Sequence, residues 1–258
     1  MASIEVAVSG ILFDSDGTLV DSTPAVRRTI QRWCASQGVD PRAFAAAQHG
    51  TRAVDLLRRF AVVPKRGSEM SEAELDAAVE ELEREVGRTA ARMAQQGEGG
   101  IVMLPGVAEL LNGLREGGAT WGVVTSATRT HACAALDAAG ITSTSLHVPV
   151  LVTGELVNEG KPHPSPYLAG LAAMQRLRPS LEAKDVLVIE DAPAGLQSGA
   201  AAGCRVLAVC TGPVAAADVA QAASEIDGAI VVRDLTSVEL VSCTSESITL
   251  RISRLSQS

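Results

Sequence analysis

An apolar run that begins at Val6 leads into the sequence Phe13-Asp14-Ser15-Asp16-Gly17-Thr18-Leu19-Val20-Asp21-Ser22. Residues 6–13 predict a first buried strand, and two carboxylates separated by one residue follow it directly. Two like charges at the mouth of a buried strand repel each other unless a cation or a shared proton relieves them. The pair Asp14 and Asp16 therefore predicts a metal site that has a nucleophilic carboxylate beside it.

The composition indicates an acidic globular protein with one full core, or with one core and a small second domain. The chain has 258 residues, 47% of them apolar, and a formal net charge of −8. This charge and the lack of a Lys/Arg block argue against nucleic acid and membrane surfaces as partners. The five cysteines form no Cys-x-x-Cys pair, which favours a reduced protein over a disulfide framework or a zinc site. We find no signal-peptide pattern and no apolar run of ~20 residues, so we expect a cytoplasmic location.

From about residue 101 onward the pattern alternates between helices and short apolar strands. The predicted strands are at 121–125, 148–152, 186–189 and 206–209, and the predicted helices are at 107–115, 130–139, 166–176 and 194–202. This alternation predicts an α/β fold with a doubly wound, parallel, Rossmann-like sheet. Residues 240–243 and 247–252 predict a late hairpin.

Residues 23–100 have a helical pattern instead. Helices are predicted from Thr23-Pro24 to Gly38, at 52–60 and from Ser71 onward, and the glycine-rich segment 95–100 predicts a hinge or a linker. We therefore expect an α/β core made of residues 1–22 and 101–258 and an inserted all-helical cap domain at 23–100. An insertion after the first strand lies at the sheet edge where such folds bind ligands, which favours a lid over a passive decoration.

Several polar residues follow the carboxyl ends of the predicted strands or lie in the loops beside them. Because these ends meet at one edge of a doubly wound sheet, we expect carboxylates, hydroxyls and one lysine to converge there. Mg²⁺ prefers such oxygen ligands and usually binds substrate phosphate as well, while a lysine and hydroxyls can hold phosphoryl oxygens. The pattern thus predicts a Mg²⁺ site that faces a phosphate. Its residues are Asp14, Asp16, Thr125, Ser126, Lys161, Glu190 and Asp191.

Four motifs occur in order along the chain: Asp14-Ser15-Asp16-Gly17-Thr18, Val123-Val124-Thr125-Ser126, Lys161-Pro162 and Glu190-Asp191-Ala192-Pro193-Ala194-Gly195. With these motifs the chain resembles the haloacid dehalogenase (HAD) superfamily of phosphohydrolases over nearly its whole length. His49-Gly50-Thr51-Arg52 and residues 160–168 look like segments of fungal-type glycerol-phosphate phosphatases and 2-deoxyglucose-6-phosphate phosphatases. Those enzymes are Mg²⁺-dependent and cytoplasmic, and they carry a helical cap at this position. Ser15 is a minor departure, since that position is often methionine or cysteine.

The resemblance implies a role for each acidic motif residue. Asp14 would be the nucleophile that forms an aspartyl-phosphate, and Asp16 would act first as an acid and then as a base. Asp14, the backbone carbonyl of Asp16 and Asp191 would hold Mg²⁺. Glu190 would be either a direct ligand or a partner of the ligands.

The resemblance also implies which residues hold the substrate. Thr125 and Lys161 would hold the transferring phosphoryl group, and Ser126 is the alternative to Thr125. Arg52 and His49 of the cap would face the rest of the substrate, whereas an isolated residue of either type is ordinarily a solvated charge or a satisfied hydrogen-bonding group. The remaining candidates for substrate binding are Gly17, Thr18, Ala127, Arg129 and His163, the last of which could simply brace its loop.

The expected function is that of a phosphatase for a small polyol or sugar phosphate, of the glycerol phosphate or hexose 6-phosphate type. A sugar phosphomutase of the same superfamily is the nearest alternative, because it would use the same nucleophile and metal. A non-catalytic binding protein is disfavoured, since all of the catalytic motif residues are present. The expected partner is a small phosphorylated metabolite, and the expected state is a monomer or a small homo-oligomer.

Overall fold

The computed structural model describes residues 3–48, 51–60, 70–141 and 148–255, apart from the side chains of residues 46 and 48. In these ranges the strands are β1 Ser3–Val8, β2 Gly10–Phe13, β3 Val20–Asp21, β4 Val102–Met103, β5 Trp121–Val124, β6 Leu151–Val152, β7 Val186–Glu190, β8 Arg205–Val209, β9 Ile230–Val232, β10 Val238–Cys243 and β11 Ile248–Ser253. The α-helices are α1 Thr23–Gln37, α2 Pro41–Gln48, α3 Ala53–Phe60, α4 Glu72–Gln95, α5 Val107–Glu116, α6 Arg129–Ala138, α7 Ser165–Leu177, α8 Pro193–Ala201 and α9 Ala216–Ser224. None of these helices is long and apolar enough to cross a membrane.

A six-stranded sheet lies at the centre of the fold. Its order is β6-β5-β2-β7-β8-β9, and every neighbouring pair is parallel. The doubly wound α/β fold predicted from the sequence is therefore confirmed. The chain runs outward from β2 to β5 and β6, and it then returns to β7 on the other side of β2. Open α/β sheets bind ligands where the strand order reverses, which here is the edge formed by the ends of β2 and β7.

Helices cover both faces of this sheet. In β7, Leu187 and Ile189 belong to one hydrophobic cluster together with α5 and α6, whereas Val186 and Val188 belong to a second cluster with α7. Successive side chains of a strand point to opposite faces, so every residue of a strand that is covered on both sides is buried. This is the physical origin of the continuous apolar runs in the sequence.

The single first strand expected at 6–13 is wrong in one respect. Ser9 divides it into β1, which pairs with β11 in an antiparallel sheet of order β1-β11-β10, and β2, which lies in the central sheet. The two strands differ in their surroundings, because Val6 and Val8 of β1 are buried and alternate with exposed residues, whereas all of β2 is buried. The late hairpin is confirmed as β10 and β11, and β1 adds a third strand to it.

The sequence pattern did not predict α9, β9, β3 or β4. β9 has three residues and β3 and β4 have two each, so their conformation depends on pairing with β8 and with each other rather than on a local pattern. The short helix α9 buries only Val219, Ala222 and Ala223, which makes a weak helical signal.

Helices α1 to α4 follow one another between β3 and β4, and these two strands pair, so the ends of the helical segment 23–100 lie side by side. The segment has its own hydrophobic cluster, centred on Phe44 and Leu57. The later part of α4, through Val86 and Met93, packs instead into the main cluster of the sheet. The two parts of the molecule thus share α4, and the expected domain boundaries stay a prediction.

Candidate active site

The ends of three central strands and one loop meet around Lys161. Its Nζ atom donates to Asp14 Oδ1 and to Glu190 Oε1, both at 2.6 Å, and to the carbonyl of Val124 at 3.0 Å. Asp14 follows β2, Val124 ends β5 and Glu190 ends β7. The backbone N–H of Asp14 also donates to Ile189 O at 2.9 Å, which ties the end of β2 to β7. The structure therefore brings these predicted residues together at the expected edge of the sheet.

Burial and neighbouring charges together set the pKa values of Asp14 and Lys161. Asp14, Lys161 and Glu190 are all buried. Burial raises the pKa of Asp14 to about 7, and the charge of Glu190 adds to this rise while Lys161 opposes it. Burial acts to lower the pKa of Lys161, but the charges of Asp14 and Glu190 outweigh it and raise that pKa above its usual value. The lysine therefore stays a cation that neutralises the carboxylates beside it.

Glu190 is held by hydrogen bonds on both oxygens. Oε1 accepts from Lys161 and from the hydroxyl of Tyr167 at 3.0 Å, and Oε2 accepts from the backbone N–H groups of Asp191 and Ala192. Tyr167 comes from α7 and is fully buried. Glu190 thus fixes the position of Lys161 and has little capacity left for another partner.

Asp191 lies against two glycines. A Cβ atom added at Gly17 would come within 2.3 Å of Asp191 Oδ2, and one added at Gly212 within 1.7 Å, so a larger residue at either position would displace the Asp191 carboxylate. Gly17 also has a φ of +96°, in the region that favours glycine. Burial and the charges of Glu190 and Asp14 raise the pKa of Asp191 well above its usual value, although Lys161 opposes this.

Two backbone amides in the loop around Gly17 form hydrogen bonds within the loop. The amide of Gly17 donates to Val20 O at 2.8 Å, and the amide of Thr18 donates to Ser15 O at 3.3 Å. The Thr18 hydroxyl donates to Asp191 Oδ1 at 3.4 Å. Both backbone donors are therefore used inside the loop, and the roles of Gly17 and Thr18 toward a substrate stay predictions.

Asp16 is separated from the Lys161 cluster and has its own partners. Ser22 Oγ donates to Asp16 Oδ1, and His131 Nε2 lies 3.6 Å from the same oxygen. Burial acts to raise the pKa of Asp16, but the nearby His131 and its charge, together with the hydrogen bond from Ser22, lower it overall. Burial acts to lower the pKa of His131, but the nearby Asp16 carboxylate and its negative charge outweigh burial and raise that pKa.

A cavity of about 520 Å³ lies between the strand ends and the helical segment 23–100. The sheet side of the cavity includes Asp14, Asp16, Thr125, Ser126, Ala127, Glu190 and Asp191. Thr125 is buried at the end of β5, and its Oγ1 accepts from the N–H of Ala127 at 3.1 Å. The choice between Thr125 and Ser126 as the phosphate-binding hydroxyl stays open, since both line the cavity.

Among the described residues that were predicted in the cap and the outer loops, Arg52, Arg129 and His163 do not line this cavity. His49 lies outside the described residues. Arg52 forms an ion pair with Asp55 at 2.7 Å and donates to the carbonyl of Val157 at 2.8 Å, so it connects α3 to a loop of the core. Arg129 is exposed at the start of α6. The substrate roles of His49, Arg52 and Arg129 stay predictions.

His163 has the geometry of a residue that braces its loop. It is exposed, its Nδ1 lies 2.7 Å from Ser165 Oγ, and its Nε2 lies 3.1 Å from Glu159. Its backbone carbonyl accepts from Ser198 of α8 at 2.6 Å. The bracing interpretation therefore has geometric support, and substrate binding by His163 stays a prediction.

Sequence reasoning missed three side chains that contact the predicted site residues. Tyr167 contacts Glu190, while Ser22 and His131 contact Asp16. Tyr167 is the one tyrosine of the chain and lies in a mostly apolar helix shortly after Lys161, which was a usable signal. His131 had no such signal, because a single histidine in a helix is most often a satisfied structural residue.

The family model of the haloacid dehalogenase-like hydrolases matches residues 8–203. The chain belongs to the haloacid dehalogenase-like hydrolases. Hexitol phosphatase A from Escherichia coli (strain K12) is 40% identical to this hydrolase over 200 residues, which cover 78% of this chain and 82% of that protein. Glycerol-1-phosphate phosphohydrolase 2 from Saccharomyces cerevisiae is 33% identical over 218 residues, which cover 81% of this chain and 77% of that protein.

Solved structures share the fold of this hydrolase. A HAD hydrolase of family IA, variant 3, from Entamoeba histolytica has a TM-score of 0.69 at 16% identity and covers 90% of this chain and 95% of its own. The family match confirms the resemblance to the HAD superfamily that the four motifs indicated. The expected enzyme class, a hydrolase that acts on phosphoric monoesters, is confirmed as well.

Proposed function

We propose that this hydrolase is a Mg²⁺-dependent phosphatase that cleaves a small polyol or sugar phosphate through an aspartyl-phosphate intermediate. The observation that carries the proposal is the contact of Lys161 with both Asp14 and Glu190 beside the cavity. A buried cation next to a nucleophilic carboxylate can also hold the phosphoryl group that this carboxylate attacks. The names of the relatives, a hexitol phosphatase and a glycerol-1-phosphate phosphohydrolase, support the substrate class.

Asp14 is the nucleophile of the proposed reaction. One of its oxygens attacks phosphorus, and the bond from phosphorus to the ester oxygen breaks. The protonated form of Asp16, which its lowered pKa makes the minor form at neutral pH, gives its proton to the departing alkoxide. Water then attacks the aspartyl-phosphate, and Asp16 takes a proton from this water as the bond between Asp14 and phosphorus breaks. Inorganic phosphate leaves, and Asp16 is protonated again. Lys161 and Thr125 hold the phosphoryl oxygens in both steps.

The donor set fits Mg²⁺. Carboxylate oxygens of Asp14, Glu190 and Asp191 lie within 4.8 Å of one another, and all three residues are buried. Because Glu190 already accepts hydrogen bonds on both oxygens, Asp14, Asp191 and the backbone carbonyl of Asp16 are better suited as ligands. The raised pKa of Asp191 reflects its burial and the negative charges of Glu190 and Asp14 beside it, and a bound cation would favour the ionised form. When bound, Mg²⁺ neutralises charge on the phosphoryl oxygens and on the nucleophile.

We also propose that residues 23–100 act as a cap domain over a core of residues 1–22 and 101–258. The pairing of β3 with β4 brings the ends of the helical segment together, and the segment has its own hydrophobic cluster. Its helices line the far side of the cavity through residues such as Ile30, Phe44 and Leu82. Residues in these positions would contact the part of the substrate beyond its phosphate and set specificity.

The test is a panel of phosphate esters assayed for released inorganic phosphate with Mg²⁺ present. The panel contains glycerol phosphates, hexitol phosphates, hexose 6-phosphates, 2-deoxyglucose 6-phosphate and phosphoglycolate. We expect turnover of polyol or sugar phosphates, and we expect Asp14→Asn to lower kcat by at least about 10³-fold because no aspartyl-phosphate can form.

Asp137→Asn is the matched control, since Asp137 is exposed on α6 and should leave turnover unchanged. Substantial phosphate release by Asp14→Asn would contradict the assignment of the nucleophile. Conversion of a sugar phosphate into an isomer without phosphate release would favour the phosphomutase alternative.

A further inference from the structure

The Asp16 carboxylate is held on one oxygen by residues that the proposed reaction does not use. Ser22 Oγ donates to Asp16 Oδ1 at 2.5 Å, and His131 Nε2 lies 3.6 Å from the same atom. Among the described residues, no hydrogen bond reaches the second oxygen, Oδ2. The Asp16 side chain lines the cavity and is 29% exposed. One oxygen is thus anchored, while the other is available to a substrate.

The position of His131 is set by the start of α6. Thr128 is the N-cap of this helix, and its Oγ1 accepts from the backbone N–H of His131 at 3.4 Å. The backbone N–H of Thr128 donates to Glu83 Oε1 at 3.2 Å, and its hydroxyl donates to Glu83 Oε2. Glu83 is buried and belongs to α4. The first turn of α6, with His131 on it, is therefore anchored to the helical segment before any substrate arrives.

We propose that His131 is a positioning residue that, together with Ser22, holds Asp16 Oδ1 and so presents Oδ2 to the leaving oxygen of the substrate. This inference rests on the proposed acid–base role of Asp16. A general acid must lie within hydrogen-bond reach of the atom that it protonates, and a small misplacement lowers the rate strongly. The imidazole of His131 is only 8% exposed, so packing keeps it against Asp16.

The test compares three phosphate esters of similar size whose leaving groups become more basic: 4-nitrophenyl, phenyl and benzyl phosphate. We expect His131→Ala to lower kcat/KM about 10- to 100-fold for benzyl phosphate, because its alkoxide must be protonated as it leaves. We expect less than about threefold for 4-nitrophenyl phosphate, because nitrophenolate leaves without a proton. The kcat/KM values for benzyl phosphate and 4-nitrophenyl phosphate are measured on the same preparation of the variant. Partial unfolding would then lower both values equally and leave their ratio unchanged.

Two further variants make the test specific. His131→Gln keeps an N–H donor and should recover much of the loss on benzyl phosphate. Cys133→Ala lies on the same helix, does not line the cavity, and should leave the ratio unchanged. An equal loss on all three esters, or no loss, would overturn the positioning role. Failure of the native enzyme to release phosphate from every ester would instead count against the proposed function.

Discussion

Asp14, Glu190 and Asp191 bring three carboxylates into a buried space where Lys161 supplies one positive charge. Burial of like charges lowers the free energy of unfolding. Neutralising a buried charge that has no opposite charge to balance it raises that free energy again. The raised pKa values of Asp14 and Asp191 express the same cost. At the scale of single residues, burial of these carboxylates lowers the stability of the metal-free protein. The same arrangement places a nucleophilic carboxylate beside a cation.

This cost predicts a pH-dependent effect of Asp14→Asn on thermal stability. The pKa of Asp14 rises from 3.8 to about 7 on folding, so the native carboxylate destabilises the fold increasingly as the pH rises through this window. In chelator we expect Asp14→Asn to melt several degrees above the native protein at about pH 8 and by a smaller margin at about pH 5, where the folded state keeps Asp14 protonated while the unfolded carboxylate is already largely ionised. Thermal unfolding followed by circular dichroism at both pH values measures this difference.

Asp137→Asn serves again as the control, because Asp137 is exposed. Its melting temperature should differ from that of the native protein by the same small amount at both pH values. An Asp14→Asn difference that does not change with pH would contradict the raised pKa.

At the scale of elements, α8 lies unusually close to β7. A Cβ atom added at Gly199 would come within 2.8 Å of Val188 Cγ1, and one added at Gly195 would come within 1.7 Å of Glu190 Oε1. The small residues of α8 therefore allow the helix to approach the strand that carries Glu190. The position of this helix and the position of Lys161 are coupled through the Glu190 side chain.

We expect Gly195→Ala to lower both activity and stability, because the added methyl group displaces Glu190 from Lys161. Gly87→Ala is a contrasting helical substitution, since nothing lies within 4 Å of a Cβ atom at Gly87 in α4. We expect it to raise the free energy of unfolding by about 0.5–1 kcal/mol, the usual gain of alanine over glycine inside a helix. Urea unfolding and phosphate-release assays of both variants measure these effects. Wild-type activity in Gly195→Ala would show that the helix can move away without disturbing the site.

At the scale of the whole molecule, the cavity needs both parts of the chain. The strand ends supply the carboxylates, and α1 to α4 supply the opposite wall. In the described part of the chain, hydrogen bonds link the two parts where Thr128 donates to Glu83 of α4 and where Arg52 donates to the carbonyl of Val157. A substrate enclosed between them would be shielded from water, which strengthens every electrostatic interaction at the site.

Metal binding is the property of the whole site that is most easily tested. We expect a chelator to abolish turnover and Mg²⁺ to restore it, because the three acidic residues otherwise repel the phosphate. We also expect Mg²⁺ to raise the melting temperature by mass action, since it binds the folded site only. Asp191→Asn should remove this rise while the protein still folds. Full activity in chelator would contradict the proposed metal site.

The sequence by itself determined the parallel α/β fold and the positions of Asp14, Lys161, Glu190 and Asp191. It could do so because the strands are continuous apolar runs and each of these residues belongs to a short motif at a strand end or in a loop beside the sheet. Such signals are local in the chain. They are therefore readable without knowing which elements are neighbours.

Only the tertiary structure decided that His131 faces Asp16, that Tyr167 holds Glu190, and that Ser9 separates β1 from β2 into different sheets. It also directed Arg52 toward Asp55 rather than into the cavity. These outcomes depend on packing between residues that are distant in sequence or on competition between nearby partners. Neither periodicity nor a motif could predict these contacts, because they depend on which helix packs against which strand end.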